Sequence, residues 1–281
     1  MNKEKIVYSH EDGSSSGIYM NAGNETALVV IVNGHNGFYN YGMFPYIQQT
    51  FYDNKISSYS FNYSHGGVIG DGDTFEDLFN YEKNCMRLEV ADLLAVLSNI
   101  KNSKLSDHHQ IFLLAHSMGG IPAIFGGNKF IEEGFNLDGI ILASCVSTLN
   151  FWPPDVLNEW SNAGVFYRKN NRINQELPLG FDLLQETLKS DTEWNVERQI
   201  KKMNVPFLII HGENDEAVSL SHGEKLFSWI KGLNSNSKFE TIKGATHTFN
   251  TKHPFTQSSI EVDKLISSSI SWIHSIINPE F

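Results

Sequence analysis

The chain has 281 residues, of which 41% are hydrophobic and 19% are charged, a composition typical of a globular protein. Its 21 Lys and Arg residues against 32 Asp and Glu residues give a formal net charge of −11. A net acidic surface disfavours nucleic acid and anionic membranes, because binding to either depends on clustered basic side chains. We therefore expect neither a nucleic-acid partner nor a membrane partner.

The cysteines and the N-terminal residues point to a cytoplasmic protein. Cys85 and Cys145 match neither a disulfide framework nor the spacing of zinc ligands, so we expect two reduced thiols. Residues 1–7 have no apolar run behind their charges, and the longest strongly apolar run, residues 27–32, is too short to cross a bilayer. His, Cys and carboxylate residues show no metal-ligand spacing, so we expect no metal and no cofactor.

Apolar runs alternate with helical patterns along the chain. Residues 14–17, Ser-Ser-Ser-Gly, are interpreted as a turn between two early strands. Buried strands are predicted at residues 28–32, 111–114, 139–143 and 207–210, with further strands at 57–63 and 238–242. Apolar stripes at helical spacing predict helices over residues 86–100 and 265–277. This alternation predicts an α/β fold with a mostly parallel central sheet and helices on both faces.

Residues 146–200 interrupt the alternation, because they contain no buried-strand signal. We interpret them as a helical cap insertion within a single domain of residues 1–281; a second domain is the alternative. Their many aromatic residues include Trp152, a candidate substrate contact, although such side chains also form the core of a cap. The basic residues Arg168, Lys169 and Arg172 are all candidates to meet a substrate carboxylate, and Arg172 is taken as the substrate contact; the alternative is a solvated charged loop.

The sharpest local signal is a strand, a serine and a helix in succession at residues 111–121. Ser117 lies between Ala115 and Gly119, small residues that a tight turn requires two positions before and after the serine. This is the G-x-S-x-G nucleophile elbow with Ala in place of the first Gly. The alternative is an ordinary glycine turn. In an elbow, Ser117 is the predicted nucleophile.

A serine nucleophile needs a base and a group that orients the base, in the chain order Ser, acid, His. Asp215 follows the strand at 207–210 and is the predicted acid, with Glu213 and Glu216 as rivals. His247 follows the strand at 238–242 and is the predicted base, with His253 as its competitor.

His116 precedes the nucleophile directly. We expect its side chain to point away from the site and to be structural.

Acyl transfer also requires donors for the oxyanion. The predicted donors are the backbone N–H groups of Met118, directly after the nucleophile, and of His35, in the Asn-Gly-His-Asn-Gly loop after the strand at 28–32. A flexible glycine turn is the alternative for that loop. Its Asn36 is a candidate substrate contact.

Together these motifs resemble the α/β-hydrolase superfamily, and the resemblance covers nearly the whole chain. The ending Gly-Ala-Thr-His-Thr-Phe at residues 244–249 is similar to the Gly-Ala-Asp-His-Thr-Phe of feruloyl/cinnamoyl-esterase-like and dienelactone-hydrolase-like members. Those members usually have His-Gly where this chain has Asn33-Gly34.

The resemblance implies a serine hydrolase that cleaves small-molecule carboxylic esters through an acyl-enzyme. A peptidase, a thioesterase and a non-catalytic ligand-binding protein stay open as alternatives. The sequence leaves the oligomeric state open, with a homodimer as one candidate.

Overall fold

The computed structural model describes residues 2–23, 27–101, 110–171 and 173–278. Its strands, in chain order, are β1 (Asn2–His10), β2 (Gly13–Asn21), β3 (Ala27–Val32), β4 (Ser57–Asn62), β5 (Gln110–His116), β6 (Gly139–Ala143), β7 (Phe166–Asn170), β8 (Gln175–Leu179), β9 (Phe207–Gly212) and β10 (Lys238–Ile242). Its helices are α1 (Phe44–Asp53), α2 (Leu78–Lys83), α3 (Met86–Lys101), α4 (Gly120–Glu132), α5 (Pro154–Ala163), α6 (Phe181–Leu188), α7 (Val196–Ile200), α8 (Leu220–Ile230) and α9 (Ile260–Ile277).

Eight of these strands form one sheet in the order β1-β2-β4-β3-β5-β6-β9-β10. Strand β2 is antiparallel to both of its neighbours, and the pairings from β4 to β10 are parallel. Every residue of β3, β6 and β9 is buried, which explains their continuous apolar sequences. The predicted mostly parallel sheet is confirmed.

Helices cover both faces of the sheet. The buried side chains of α1 and α9 form one hydrophobic cluster, and those of α3, α4 and α8 belong to a second cluster. In α3 the stripe of Val90, Leu93 and Leu97 is buried, as its helical spacing predicts. The sheet is thereby held between two apolar layers, with the ends of its strands left for loops.

The predicted turn at residues 14–17 is wrong. These residues lie inside β2, and the turn falls instead at residues 11–12, between His10 and Gly13. Ser16 pairs with Val7 of β1, and Ser15 is fully buried. Small side chains suit this strand because helix α3 packs against it.

The segment between β6 and β9 corresponds to the predicted cap. It contains α5, the antiparallel hairpin of β7 and β8, α6 and α7, so the prediction of a wholly helical cap is wrong in part. Strand β7 gave no strand signal because its side chains are half-buried or exposed, and β8 contains Pro178. The division into a single domain, residues 1–281, with a cap at residues 146–200 stays a prediction.

Both cysteines are free thiols and both are buried. Across the part of the chain that the structure describes, no helix has the length and apolar character that spanning a bilayer requires.

Helix α3 carries a buried carboxyl group that is not part of the catalytic candidates. Glu89 is 1% exposed, and its Oε1 accepts a 2.8 Å hydrogen bond from Asn84 Nδ2. Its Oε2 has no hydrogen-bond partner among the described residues. Burial raises the pKa of Glu89 from 4.5 to about 8, so the folded protein keeps this group protonated at neutral pH.

This raised pKa predicts that stability falls with rising pH. The folded state binds a proton that the unfolded chain releases. The contribution of Glu89 to the free energy of unfolding is therefore full below about pH 4.5 and is lost as the pH rises to about 8. Glu89→Gln cannot ionise and keeps the acceptor for Asn84. We expect it to raise the Tm by at least about 3 °C at alkaline pH and to change it little at acid pH.

Thermal melts at about pH 5 and about pH 8 measure this difference. Glu133→Gln, at an exposed position after α4, is the matched control and should behave as wild type at both. A Glu89→Gln effect of equal size at the two pH values would contradict the proposed cause.

Candidate active site

Ser117 lies at the sharp junction between β5 and α4. Its backbone φ is +58°, in the left-handed region that is strained for a residue with a side chain. A single 3₁₀ turn, Ser117–Gly119, joins the strand to the helix. This is the geometry of a nucleophile elbow, in which strand and helix packing hold the strained serine above the end of the sheet.

The small residues around the serine are required by close backbone approach. A Cβ on Gly119 would lie 2.5 Å from the carbonyl oxygens of Val32 and Asn33, so no side chain fits there. Ala115, in contrast, is a fully buried residue of β5 paired with Val32 and Leu142, where a methyl group is accommodated. The departure from Gly at that position therefore leaves the elbow intact.

The structure brings Ser117, His247 and Asp215 into one hydrogen-bonded chain. Ser117 Oγ lies 3.0 Å from His247 Nε2, and His247 Nδ1 lies 2.9 Å from Asp215 Oδ2 and 3.1 Å from Oδ1. The Nδ1–H of His247 donates to the carboxylate, which leaves Nε2 free to accept the serine proton. The loops after β9 and β10 supply the acid and the base.

Asp215 is held as a carboxylate by its surroundings. Its side chain is fully buried, and Oδ1 accepts hydrogen bonds from the backbone N–H groups of Ala217 and Val218, at 3.0 and 2.8 Å. Burial acts to raise the pKa of Asp215, but hydrogen bonding to His211 and His247 outweighs it, so the pKa lies well below the ordinary value.

The rival candidates for the acid and the base have different surroundings from those of Asp215 and His247. Glu213 and Glu216 are exposed residues of the same loop as Asp215. His253 accepts a hydrogen bond from the Gly42 N–H at 2.9 Å, and its ring stacks on Tyr41.

His116 does not point away from the site as expected. Its Nε2 lies 2.9 Å from the backbone oxygen of His247, and the centroids of the two rings are 4.8 Å apart. Burial, with a contribution from neighbouring His247, lowers the pKa of His116 to about 3, so the neutral ring donates its Nε2–H to that oxygen. His116 therefore supports the loop that carries the candidate base.

The loop after β3 packs directly on the elbow. A Cβ on Gly34 would lie 2.8 Å from Ser117 Cβ and 3.3 Å from the backbone nitrogen of Met118, so this contact requires glycine. His35 and Met118, whose N–H groups are the predicted oxyanion donors, both line the cavity above Ser117. Asn36, a predicted substrate contact, also lines it and has a φ of +62°.

Tyr81 of α2 holds this loop through its hydroxyl group. The hydroxyl donates a short hydrogen bond to Asn36 Oδ1 and lies 3.1 Å from His35 Nε2. Because the single hydroxyl proton points to Asn36, the His35 ring donates its Nε2–H to the tyrosine oxygen. Burial, together with the positive charge of Arg168, lowers the pKa of His35 to about 3, which keeps the ring neutral. Sequence analysis did not single out Tyr81.

A cavity of about 290 Å³ opens over Ser117 and His247. Four consecutive residues of the predicted cap, 168–171, line it. Trp152 lies instead in the aromatic cluster of the cap, with its ring centroid 5.5 Å from that of Trp160, and neighbouring Phe151 lines the cavity. The third predicted substrate contact, Arg172, lies outside the described residues.

Across the described ranges, no group of three or more His, Cys, Asp or Glu side chains is arranged to hold a metal ion.

No family model and no curated protein matches the sequence. Solved structures match over nearly the full length. Est1E from Butyrivibrio proteoclasticus with ferulic acid bound has a TM-score of 0.70 at 18% identity, covering 97% of this chain and 99% of its own. A dienelactone hydrolase from Anabaena variabilis has a TM-score of 0.65 at 11% identity, covering 97% of both chains. A monoacylglycerol lipase from Paleococcus ferrophilus has a TM-score of 0.66 at 14% identity, covering 98% of this chain and 100% of its own.

The fold of this chain is therefore the α/β-hydrolase fold. The resemblance inferred from the elbow and from the residues around His247 is confirmed at the level of that fold.

Proposed function

We propose that the protein is a serine hydrolase that cleaves carboxylic esters through an acyl-enzyme. The observation that carries the proposal is the hydrogen-bonded chain from Ser117 Oγ through His247 to the Asp215 carboxylate, at the floor of an open cavity. A serine hydroxyl is a weak nucleophile at neutral pH, and a base within 3.0 Å makes it reactive.

The reaction proceeds in two stages. Ser117 Oγ attacks the ester carbonyl carbon while its proton passes to His247 Nε2, and Asp215 stabilises the resulting imidazolium. The backbone N–H groups of His35 and Met118 bind the oxyanion of the tetrahedral intermediate. His247 then protonates the departing alcohol. In the second stage His247 deprotonates a water molecule that attacks the acyl carbon. His247 then returns this proton to Ser117 Oγ as the acyl–oxygen bond breaks, which releases the acid and free Ser117.

The solved neighbours support esters as the substrates. Their descriptions include Est1E with ferulic acid, an esterase domain from Rhodothermus marinus and a monoacylglycerol lipase. A peptidase and a thioesterase would use the same three side chains, so these neighbours are what favours an oxygen ester.

A matched substrate panel tests the choice. We expect para-nitrophenyl esters from acetate to octanoate to be hydrolysed with higher kcat/KM than the corresponding thioesters and aminoacyl para-nitroanilides. Faster cleavage of the anilides would indicate a peptidase, and faster cleavage of the thioesters a thioesterase. Absence of turnover with every substrate, together with no reaction with a fluorophosphonate, would indicate a non-catalytic binding protein.

Removal of the Tyr81 hydroxyl tests the proposed oxyanion site. Tyr81→Phe keeps the ring in place but frees Asn36 and His35, so the N–H of His35 is held less firmly where charge develops. We expect kcat for para-nitrophenyl butyrate to fall about tenfold, with KM changed by less than about twofold.

The matched control is Tyr46→Phe, which removes a hydroxyl that donates to Asp263 on the surface. It should retain wild-type kcat. An unchanged kcat in Tyr81→Phe would show that the loop does not depend on this hydroxyl.

A further inference from the structure

The cavity over Ser117 has a positively charged lining in a strongly acidic protein. Arg168 and Lys169 line it, and none of the described residues that line it is Asp or Glu. The Asp215 carboxylate lies behind His247, fully buried, and already accepts hydrogen bonds from the imidazole and from two backbone N–H groups. With His35 and His116 neutral, the lining is cationic, whereas the whole chain carries a net charge of −11.

The two cations are not paired with any acidic side chain in the described part of the chain. Among the described residues, neither Arg168 nor Lys169 forms an ion pair. Glu176 lies opposite Lys169 in the register of the hairpin but beyond ion-pair distance, and it does not line the cavity. Their charge is therefore available to a ligand.

The guanidinium of Arg168 lies near an aromatic ring, and its charge acts on the loop that holds the predicted oxyanion donor. It lies 5.4 Å from the ring centroid of Trp152, at cation–π distance. Its positive charge contributes to the lowered pKa of His35 in that loop and opposes the rise that burial causes in the pKa of Tyr81 in α2.

The hairpin that carries these side chains is anchored to the rest of the molecule. Leu177 and Leu179 of β8 are buried in the hydrophobic cluster that contains the side chains of α3, α4 and α8. Gln175 Nε2 donates a 3.0 Å hydrogen bond to the backbone oxygen of Phe75, outside the cap. Because the hairpin is held in place, the backbone that carries the two cations needs no reordering when an anion binds.

We propose that the preferred substrates are esters that carry a carboxylate group, which Arg168 and Lys169 bind in the cavity while the ester carbonyl lies at Ser117. The planar guanidinium offers two parallel N–H donors to a carboxylate, and the ammonium of Lys169 adds charge. This inference rests on the proposed function and assigns the substrate class within it.

Two pairs of matched esters test the inference, one for each side of the scissile bond. On the acyl side, mono-para-nitrophenyl glutarate is compared with para-nitrophenyl valerate. On the alcohol side, para-acetoxybenzoate is compared with para-acetoxybenzamide. We expect wild-type enzyme to prefer the carboxylate-bearing member of at least one pair, and the preference to weaken as salt is added.

The variants identify the residues responsible. In the preferred pair, Arg168→Gln should lower kcat/KM about tenfold for the carboxylate ester, mainly through KM, and change the neutral ester by less than about twofold. Lys169→Gln should have a smaller effect of the same kind. Arg168→Lys keeps the charge without the paired donors and should fall between wild type and Arg168→Gln.

Lys264→Gln, at an exposed position on α9 that forms no ion pair with a described residue, changes the net charge equally and should leave the preference intact. The inference is overturned if neither carboxylate ester is preferred, or if Arg168→Gln and Lys264→Gln act alike. In either case continued hydrolysis of the neutral esters would leave the proposed function standing. If neutral and anionic esters are both inert, the proposed function fails and the inference with it.

Discussion

Ser117→Ala is expected to lower kcat/KM for para-nitrophenyl butyrate by at least about 10⁴-fold. The substitution removes the one oxygen that lies 3.0 Å from His247 Nε2, and the remaining groups can stabilise an oxyanion but cannot form an acyl-enzyme. Residual activity should therefore resemble slow water attack, without a burst of para-nitrophenol.

The control is Ser228→Ala, at an exposed position on α8, which should keep wild-type rates. The Tm of Ser117→Ala should stay close to that of wild type, so that lost activity cannot be attributed to unfolding. Equal rates in Ser117→Ala and wild type would remove Ser117 as the nucleophile.

Asp215→Asn is expected to lower kcat by about 10³- to 10⁴-fold with little change in KM. The amide has nearly the same shape, and its oxygen can still accept from the N–H groups of Ala217 and Val218. It cannot then also accept the Nδ1–H of His247, so the imidazole loses the tautomer in which Nε2 accepts the serine proton. The substitution also removes the negative charge that stabilises the imidazolium of His247.

Glu213→Gln and Glu216→Gln are matched controls on the same loop, since both side chains are exposed. Each should change kcat by less than about twofold. A large loss in either control, with Asp215→Asn nearly unaffected, would assign the orienting acid to a different residue.

Most of the sheet could be predicted because its central strands, among them β3, β6 and β9, are buried on both faces. The predicted strands at residues 139–143 and 238–242 coincide with β6 and β10, and the C-terminal helix begins only five residues earlier than predicted. The candidate triad could also be predicted from the sequence, because each of its members lies in the loop or turn that follows a recognisable strand. In a parallel sheet such positions meet at one edge.

The role of Tyr81, the cap hairpin and the orientation of His116 depend on contacts that no local sequence pattern indicates. Tyr81 reaches His35 across 46 positions of sequence from a six-residue helix with no motif of its own. The cap hairpin escaped prediction because the side chains of β7 face the solvent and the cavity rather than a core. The orientation of His116 is set by the backbone of His247, which only the folded chain brings near.

Reaction with a fluorophosphonate, followed by intact mass and peptide mapping, tests the central claim most directly. Such probes phosphonylate a serine only when a neighbouring base activates its hydroxyl. We predict one adduct per chain on Ser117, slower labelling in Asp215→Asn, and none in Ser117→Ala. Absence of an adduct in the wild-type protein, or an adduct on another side chain, would contradict the assignment of Ser117 as an activated nucleophile.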